Sequence, residues 1–437
     1  MALATPMLAR LSDNKVNSNH EESAMDLGPS KGLHDVSLMS HDRRLSGRPR
    51  LCSDCGLCDS YLRPRMPEIC LFVRNRLEEQ EMRLHGRRRH LGDELRFGIF
   101  REQTILRLKS PLSGAQWTGM VTALACRLLE VGRVEAVILT GTLPGTRFQP
   151  LPVLARTPEQ VRACAGNKPS LSPNLGLLDQ VKASGIRRLA VIGTGCQVQM
   201  LRQAERELGL EHLDIIGIPC SDNVTYEDQQ FFLKTISASP TTVVHYEFMQ
   251  DYSLWLHHED GHRERVNYID FPMDQLQGIF PSACLSCFDY PNALADITIG
   301  YMGAPLGWQW VLARTSQGVE LLDLLRPELE SHPLTQAGDR SRGMPRFIGM
   351  LAKAPAKPPK AIRLFVAFLQ RQRGPKGLEF ARAIIEMKLL RNYAHVQEKF
   401  PQMETRIVPY HLYQAIEPYA DSYATTFGRR PGADLAR

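Results

Sequence analysis

The sequence predicts a mixed α/β (α+β) fold, with a mostly parallel sheet in a central α/β domain, a β-rich stretch after it and a helical cap at the C-terminus. Three observations carry this. Helical and apolar-strand patterns alternate from Ser113 to Ile218, short alternating strands follow Thr241, and two helical patterns lie beyond a proline-rich break after Lys353. A chain of 437 residues, 43% apolar and 23% charged, has the size and composition of a globular protein of two or three domains.

Taken in order, residues 1–49 are polar, rich in Ser, Asn, His and Asp, and read as a poorly ordered leader. Asp13, Glu21, Glu22 and Asp26 lie in it, whereas transit peptides are poor in acids. This favours a cytoplasmic protein that keeps its N-terminus. Residues 50–110 form a cysteine- and arginine-rich segment. Residues 111–240 form the α/β domain: helix Val121–Val131, strand Val134–Leu139, helices Thr157–Ala163 and Leu177–Ser184, strand Arg188–Ile192, helix Gln197–Leu208 and strand Leu213–Ile218. Residues 241–350 are β-rich, with strands Val243–Phe248, Tyr252–His257 and Glu264–Tyr268; Glu259-Asp260-Gly261 turns the last two into a hairpin. Residues 351–437 carry the break Ala-Pro-Ala-Lys-Pro-Pro-Lys and helices at Ile362–Gln372 and Gly377–Tyr393.

No apolar run approaches the ~18 residues that span a bilayer. The formal charge of +6 comes without an aromatic-interleaved basic stripe or zinc-finger spacing, which argues against nucleic acid. Arg43 to Arg107 holds fifteen arginines against nine acids. A basic rim of this kind attracts an acidic electron carrier, unless its arginines pair with Glu78, Glu79 and Glu81.

Cys52, Cys55 and Cys58 stand at a three-residue step, and Cys70 follows. Short C-x2-C-x2-C loops wrap an iron–sulfur cube and point amides at its sulfur, so the run reads as a 4Fe-4S site; a zinc site and unligated thiols are the alternatives. Cys196 and Cys220 each follow a predicted strand, where ligands gather in open α/β sheets, and Cys284-Leu-Ser-Cys287 supplies two further thiols. They form a candidate second 4Fe-4S site, against buried structural cysteines or zinc. Cys126 and Cys164 fall within helical patterns and read as packing residues.

Clusters pass single electrons, so an enzyme built on two of them commonly needs a flavin to deliver electron pairs. Ser113-Gly114-Ala-Gln116-Trp-Thr118-Gly119 places small residues and hydroxyls at a helix start, a place for phosphate or merely a cap. Lys168-Pro-Ser170-Leu-Ser172-Pro-Asn174 adds a cation and hydroxyls.

Several longer stretches carry a resemblance: Cys-Ser-Asp-Cys-Gly-Leu-Cys at 52–58, Gly-Ala-Gln-Trp-Thr-Gly at 114–119 and Arg-Phe-Gln-Pro-Leu-Pro-Val-Leu-Ala-Arg-Thr-Pro-Glu at 147–159. So do Lys-Pro-Ser-Leu-Ser-Pro-Asn at 168–174, Gly-Cys-Gln-Val-Gln at 195–199, His-Tyr-Glu-Phe-Met-Gln-Asp-Tyr at 245–252 and Cys-Leu-Ser-Cys-Phe-Asp-Tyr-Pro-Asn-Ala-Leu-Ala-Asp at 284–296. From about Arg50 to Glu320 the chain resembles the ferredoxin-dependent branch of the deazaflavin-reducing hydrogenase beta-subunit family. The resemblance implies FAD, two 4Fe-4S clusters and reduced ferredoxin as donor. It assigns Cys52, Cys55, Cys58 and Cys70 to one cluster and Cys196, Cys220, Cys284 and Cys287 to the other. It puts the flavin near Gly114, Gln116, Thr118, Lys168, Ser170, Ser172, Asn174 and the turn holding Gly193, Gly195 and Gln197.

The substrate it implies is a magnesium tetrapyrrole of chlorophyll biosynthesis, reduced at its 8-vinyl group or, alternatively, its 7-hydroxymethyl group. The strand period puts His245, Glu247 and Asp251 on one face, where they are candidate proton donors unless that face is solvated. Asp289 and Tyr290 are second choices. The expected setting is a cyanobacterial-type cytoplasm with thylakoid association, or a chloroplast stroma; a homo-oligomer is left open. Two alternatives of other classes are an electron-transfer beta subunit that binds no pigment and a zinc-stabilised binding module.

Overall fold

The computed structural model describes residues 51–276, 278–353 and 357–432. The leader expected over 1–49 and part of the proline-rich break lie outside them.

Eight strands form the central sheet: β1 (Glu102–Leu108), β2 (Ala136–Thr142), β3 (Pro150–Ala155), β4 (Arg188–Thr194), β5 (His212–Ile218), β9 (Ile297–Gly300), β10 (Gln309–Ala313) and β11 (Leu329–His332). Their spatial order is β11-β1-β10-β9-β5-β4-β2-β3. β2, β4, β5 and β9 pair in parallel, and antiparallel pairs complete both flanks. Five strands (β1, β2, β4, β5 and β9) therefore run in one direction, and the parallel character expected of the sheet belongs to its centre.

Both faces are covered, which explains the near-continuous apolar runs of the strands. Alternate residues feed two cores: Ile138, Leu189, Val191, Ile215, Trp310 and Leu312 pack into one, and Val137, Leu139, Ala190, Ile216, Ile299 and Val311 into the other. Helix Met120–Glu130 and Val161 of helix Pro158–Ala163 cover the second face; helix Gly195–Ala204 and the C-terminal helices Met344–Ala352 and Leu378–Lys399 cover the first.

A separate antiparallel sheet joins β6 (Val243–Phe248), β7 (Ser253–His258) and β8 (Arg263–Asn267) as the turn chemistry predicted. It packs with helix Tyr226–Ile236 and Phe380 around a third, aromatic core. β9, β10 and β11 depart from the simple picture of a β-rich insertion, because they enter the central sheet. None of the described helices is long and apolar enough to cross a membrane.

Candidate functional site

The carboxyl ends of the four parallel strands open on one cavity of about 450 Å³, as the open-sheet rule requires. Thr140 lies near the end of β2, Thr194 ends β4, Ile218-Pro219-Cys220 leaves β5 and Gly300-Tyr301 leaves β9; all line it. Opposite them stand Phe232, Tyr246, Phe248, Tyr268 and Phe271 from the aromatic core. A smaller cavity of about 80 Å³ adjoins it and is lined by Cys196, Cys220, Cys284 and Cys287. Cys220, Asp222, Lys168, Gln197 and Lys388 line both.

The second cysteine set converges because each thiol sits at a forced position. Cys196 opens helix Gly195–Ala204 directly after β4, and a Cβ on Gly195 would lie 2.5 Å from the Asp289 carbonyl oxygen. Cys220 donates its backbone N–H to the Tyr290 carbonyl at 3.0 Å. Cys284 begins a single turn whose carbonyls are gripped by helix Leu378–Lys399: Asn392 Nδ2 donates to Cys284 O at 3.0 Å and to Cys287 O at 2.7 Å. Lys388 Nζ donates to the Ser221 carbonyl, to Asp222 Oδ1 at 3.2 Å and to Cys284 O at 3.4 Å. Arg391 holds Asp222 from the other side at 2.7 Å.

The first set lies on the loop beside it. Asp54 N–H points at Cys52 Sγ (3.4 Å) and Leu57 N–H at Cys55 Sγ (3.5 Å). Leu175 N–H donates to Cys55 O at 2.9 Å, and Gly56, at φ +91°, sits so close to Pro173 that a Cβ would fall 2.3 Å from its carbonyl oxygen. The cysteine run is thus docked on the loop that carries Asn174. Cys55 and Cys196 interact electrostatically, which places the two sets side by side.

Burial raises the Cys55 and Cys220 thiols well above their usual range and Cys287 to about 12, and neighbouring thiolates add to each rise. A cationic metal centre bound there would hold such thiols deprotonated. None of the ten cysteines is in a disulfide, and among the described residues no three Cys, His, Asp or Glu side chains converge as a single metal ion demands. A cube held at four corners asks for a wider set around a cavity, which is the arrangement of Cys196, Cys220, Cys284 and Cys287.

Of the residues singled out for a flavin, Gln116, Lys168, Asn174, Gly193 and Gln197 line the large cavity, while Ser170, Ser172 and Gly195 line the smaller one. Gly114 and Thr118 line neither. Thr118 is committed to the fold: its Oγ1 accepts from Leu108 N–H at 3.1 Å and donates to Gln309 Oε1 at 3.0 Å. Lys168 Nζ caps helix Pro158–Ala163 through the Cys164, Ala165 and Gly166 carbonyls, and burial lowers it to about 8. Gln197 ties the turn together, accepting from Thr194 N–H (3.1 Å) and donating to Ser172 O (2.8 Å). Trp117, in the left-handed region at φ +56°, has a buried indole N–H without a partner and lines the large cavity. An unmet donor in the cavity wall fits an acceptor-rich ring system such as a flavin.

The strand period brings His245 and Glu247 together, at 2.7 Å, with His257 3.9 Å from the same carboxylate. Asp251 does not join them: it accepts from Ser253 N–H and Oγ and from Trp255 Nε1. The cavity wall is made by the other face, Tyr246 and Phe248. Glu247 reaches the cavity only as an electrostatic neighbour of Tyr301, which packs on Trp117 at 5.2 Å and whose phenol burial raises above its usual range. Asp289 is buried and accepts from Ala293 N–H and Gln199 Nε2; Tyr290 lines the large cavity.

Sequence reasoning missed Tyr301 and the Lys388, Arg391 and Asn392 clasp. Lys388 stands one helical turn before the neighbouring pair Arg391 and Asn392, and that spacing was the available signal. Around the first cysteine run, Arg74 pairs with Glu79 and the buried Arg89 with Glu81, so part of the basic rim is neutralised; Glu78 bonds His411 instead.

Comparison with known proteins gives two matching family models. One, coenzyme F420 hydrogenase/dehydrogenase beta subunit N-term, covers residues 106–179, and its C-terminus counterpart covers residues 186–336. A chloroplastic 7-hydroxymethyl chlorophyll a reductase of Oryza sativa subsp. japonica is 41% identical over 387 residues, 84% of this chain and 82% of that protein. An uncharacterised protein of Nostoc sp. is 43% identical over 383 residues, 86% of this chain and 96% of its own. The coenzyme F420 hydrogenase beta subunit of Methanothermobacter thermautotrophicus is 29% identical over 216 residues, 48% of this chain and 74% of that one. A chain of the F420-reducing NiFe hydrogenase complex from Methanosarcina barkeri shares the fold, with TM-score 0.54 over 72% of this chain and 96% of that chain at 23% identity.

Proposed function

Because this chain belongs to the coenzyme F420 hydrogenase/dehydrogenase beta-subunit family, we propose that it is an iron–sulfur flavoprotein reductase acting on a chlorophyll-type magnesium tetrapyrrole. The observation that carries this reading is the shared wall between the four-cysteine cavity and the larger cavity, whose other side is aromatic. FAD and two 4Fe-4S clusters, fed by reduced ferredoxin, would supply one-electron transfer and its conversion to hydride delivery.

The residues divide the work. Cys52, Cys55, Cys58 and Cys70 would hold one cluster, and Cys196, Cys220, Cys284 and Cys287 the other. Gln116, Trp117, Asn174 and Gln197, which line the large cavity beside the parallel strand ends, would hold the flavin. The aromatic wall of Phe232, Tyr246, Phe248 and Phe271 offers the flat apolar surface on which a macrocycle stacks and from which water is excluded. Tyr301 Oη holds a proton at the cavity edge, with Glu247 behind it.

Two substituents fit this chemistry. The 8-vinyl group, taking hydride and proton to become ethyl, is the expectation from sequence. The 7-hydroxymethyl group, taking hydride as hydroxide leaves and so becoming methyl, is favoured by the rice relative's activity. An anaerobic assay offering divinyl chlorophyllide and 7-hydroxymethyl chlorophyll a in parallel, with reduced ferredoxin, decides between them. Turnover of neither, by protein that carries flavin and iron–sulfur absorption, would favour an electron-transfer subunit; protein lacking both absorptions would sink the redox reading.

A further inference from the structure

Helix Lys360–Arg373 stands apart from every other helix in what it leaves uncovered. Ile362, Leu364, Phe365 and Phe368 are 51%, 51%, 61% and 51% exposed, and Ala367 is its one fully buried residue. Single exposed apolar residues are ordinary; four large ones on one short helix make a patch that asks for a partner.

The charges around the patch identify that partner. From Lys353 to Lys376 the sequence carries seven Lys and Arg and no Asp or Glu. Arg363 and Arg371 fasten the helix to the protein, through Asp270 Oδ1 at 2.7 Å and Asn267 Oδ1 at 3.0 Å. Lys353, Lys360, Arg373 and Lys376 are exposed, and among the described residues no carboxylate pairs with them. An apolar stripe with aromatic residues, bordered by unpaired cations, is the composition of a helix that lies in a membrane interface. With 14 residues it is too short to span a bilayer. A second copy of the chain is the poorer occupant, since a two-fold contact through this face would set its cations against their own duplicates.

We propose that helix Lys360–Arg373 docks the protein onto the surface of a membrane containing anionic lipid. Ile362, Leu364, Phe365 and Phe368 enter the acyl boundary, and the cations at the two helix ends meet headgroup phosphates. The helix is footed on the Tyr268–Asp270 turn, and Tyr268 also lines the large cavity, so docking brings that cavity to the lipid surface, where a lipid-soluble ligand is concentrated. The surface stands apart from the reductase reading, because vesicle binding is measured without turnover.

The test is co-sedimentation of the full chain with equimolar phosphatidylglycerol–phosphatidylcholine vesicles and with phosphatidylcholine alone. Two double variants are compared with it, Phe365→Ser/Phe368→Ser and Lys360→Glu/Arg373→Glu, all four positions being outside the site. Binding to the anionic vesicles is expected, weakened about tenfold or more on neutral vesicles and in either variant, with unchanged circular dichroism. Absence of binding to anionic vesicles, or binding that both variants retain, would overturn the proposal. So would a native oligomer that Phe365→Ser/Phe368→Ser converts to monomers, which would assign the patch to contact between copies.

Discussion

Replacing Lys388 by Met tests whether the C-terminal helix is part of the proposed redox centre or merely its cover. The ammonium is buried, at 5% exposure, and its three acceptors are the Ser221 carbonyl, Asp222 Oδ1 and Cys284 O. Removing one partner of a buried ion pair usually costs about 3–5 kcal/mol, because the other charge is stranded. Here Arg391 Nη2 still donates to both Asp222 oxygens, at 2.8 and 2.7 Å, so the carboxylate is not stranded and the expected loss is nearer 2 kcal/mol. Electrostatically the effect is local: Lys388 interacts with Cys220, Cys284 and Cys287 of the second cysteine set. A lost cation makes adding an electron less favourable nearby. Potentiometric titration followed by electron paramagnetic resonance should therefore show one cluster's midpoint moved to lower potential and the other's unchanged, with Lys388→Arg restoring the native value. Equal shifts in both midpoints, or no shift together with the loss of stability, would refute the reasoning.

Cys55→Ser should abolish ferredoxin-driven turnover while flavin absorption persists; loss of the flavin as well would mean that the run is a structural prop for the Pro173 loop. Arg314→Met should cost about 3–5 kcal/mol in urea unfolding, because the buried guanidinium donates to the Phe97, Ile99 and Pro291 carbonyls and to Thr298 Oγ1; a loss below about 1 kcal/mol would contradict this. His395 is buried, and burial lowers it from 6.5 to about 4. Between those values the folded protein binds fewer protons than the unfolded chain, so stability falls as pH drops through the window, by up to about 3 kcal/mol. His395→Phe should flatten that part of the stability profile, and an unchanged slope would exclude His395 as its source.

The strands legible in advance are β2, β4 and β5, from their largely apolar runs, and β6, β7 and β8, from alternation and a turn signal. Arg188–Ile192 and Leu213–Ile218 are mostly apolar, and their boundaries lie within two residues of β4 and β5. β1, β3, β9, β10 and β11 escaped notice for a physical reason. β1 carries Glu102, Gln103 and Arg107 and is stabilised by pairing with β10 and β11, more than 200 residues away, and no local pattern announces such a partner. The cysteines stood out by their short, regular spacing, and the structure brings Cys196, Cys220, Cys284 and Cys287 around one cavity. The His245 face was legible as a face but not as inside or outside: alternation sorts residues into two sets without saying which set meets the cavity.

The sequence by itself determined the residue chemistry of this protein: eight cysteines in two sets, the hydroxyl- and glycine-rich turns, and an arginine-rich border. These follow from local spacing and composition. Tertiary structure decided the rest. Packing joined the four-cysteine cavity to a larger one, turned Tyr246 and Phe248 inward in place of His245 and Glu247, spent Thr118 and Lys168 on holding the fold, and closed the C-terminal helix over Cys284 and Cys287 through Lys388 and Asn392. Each of these joins residues tens to hundreds of positions apart, where the closeness of two groups depends on how whole elements stack and not on the residues between them.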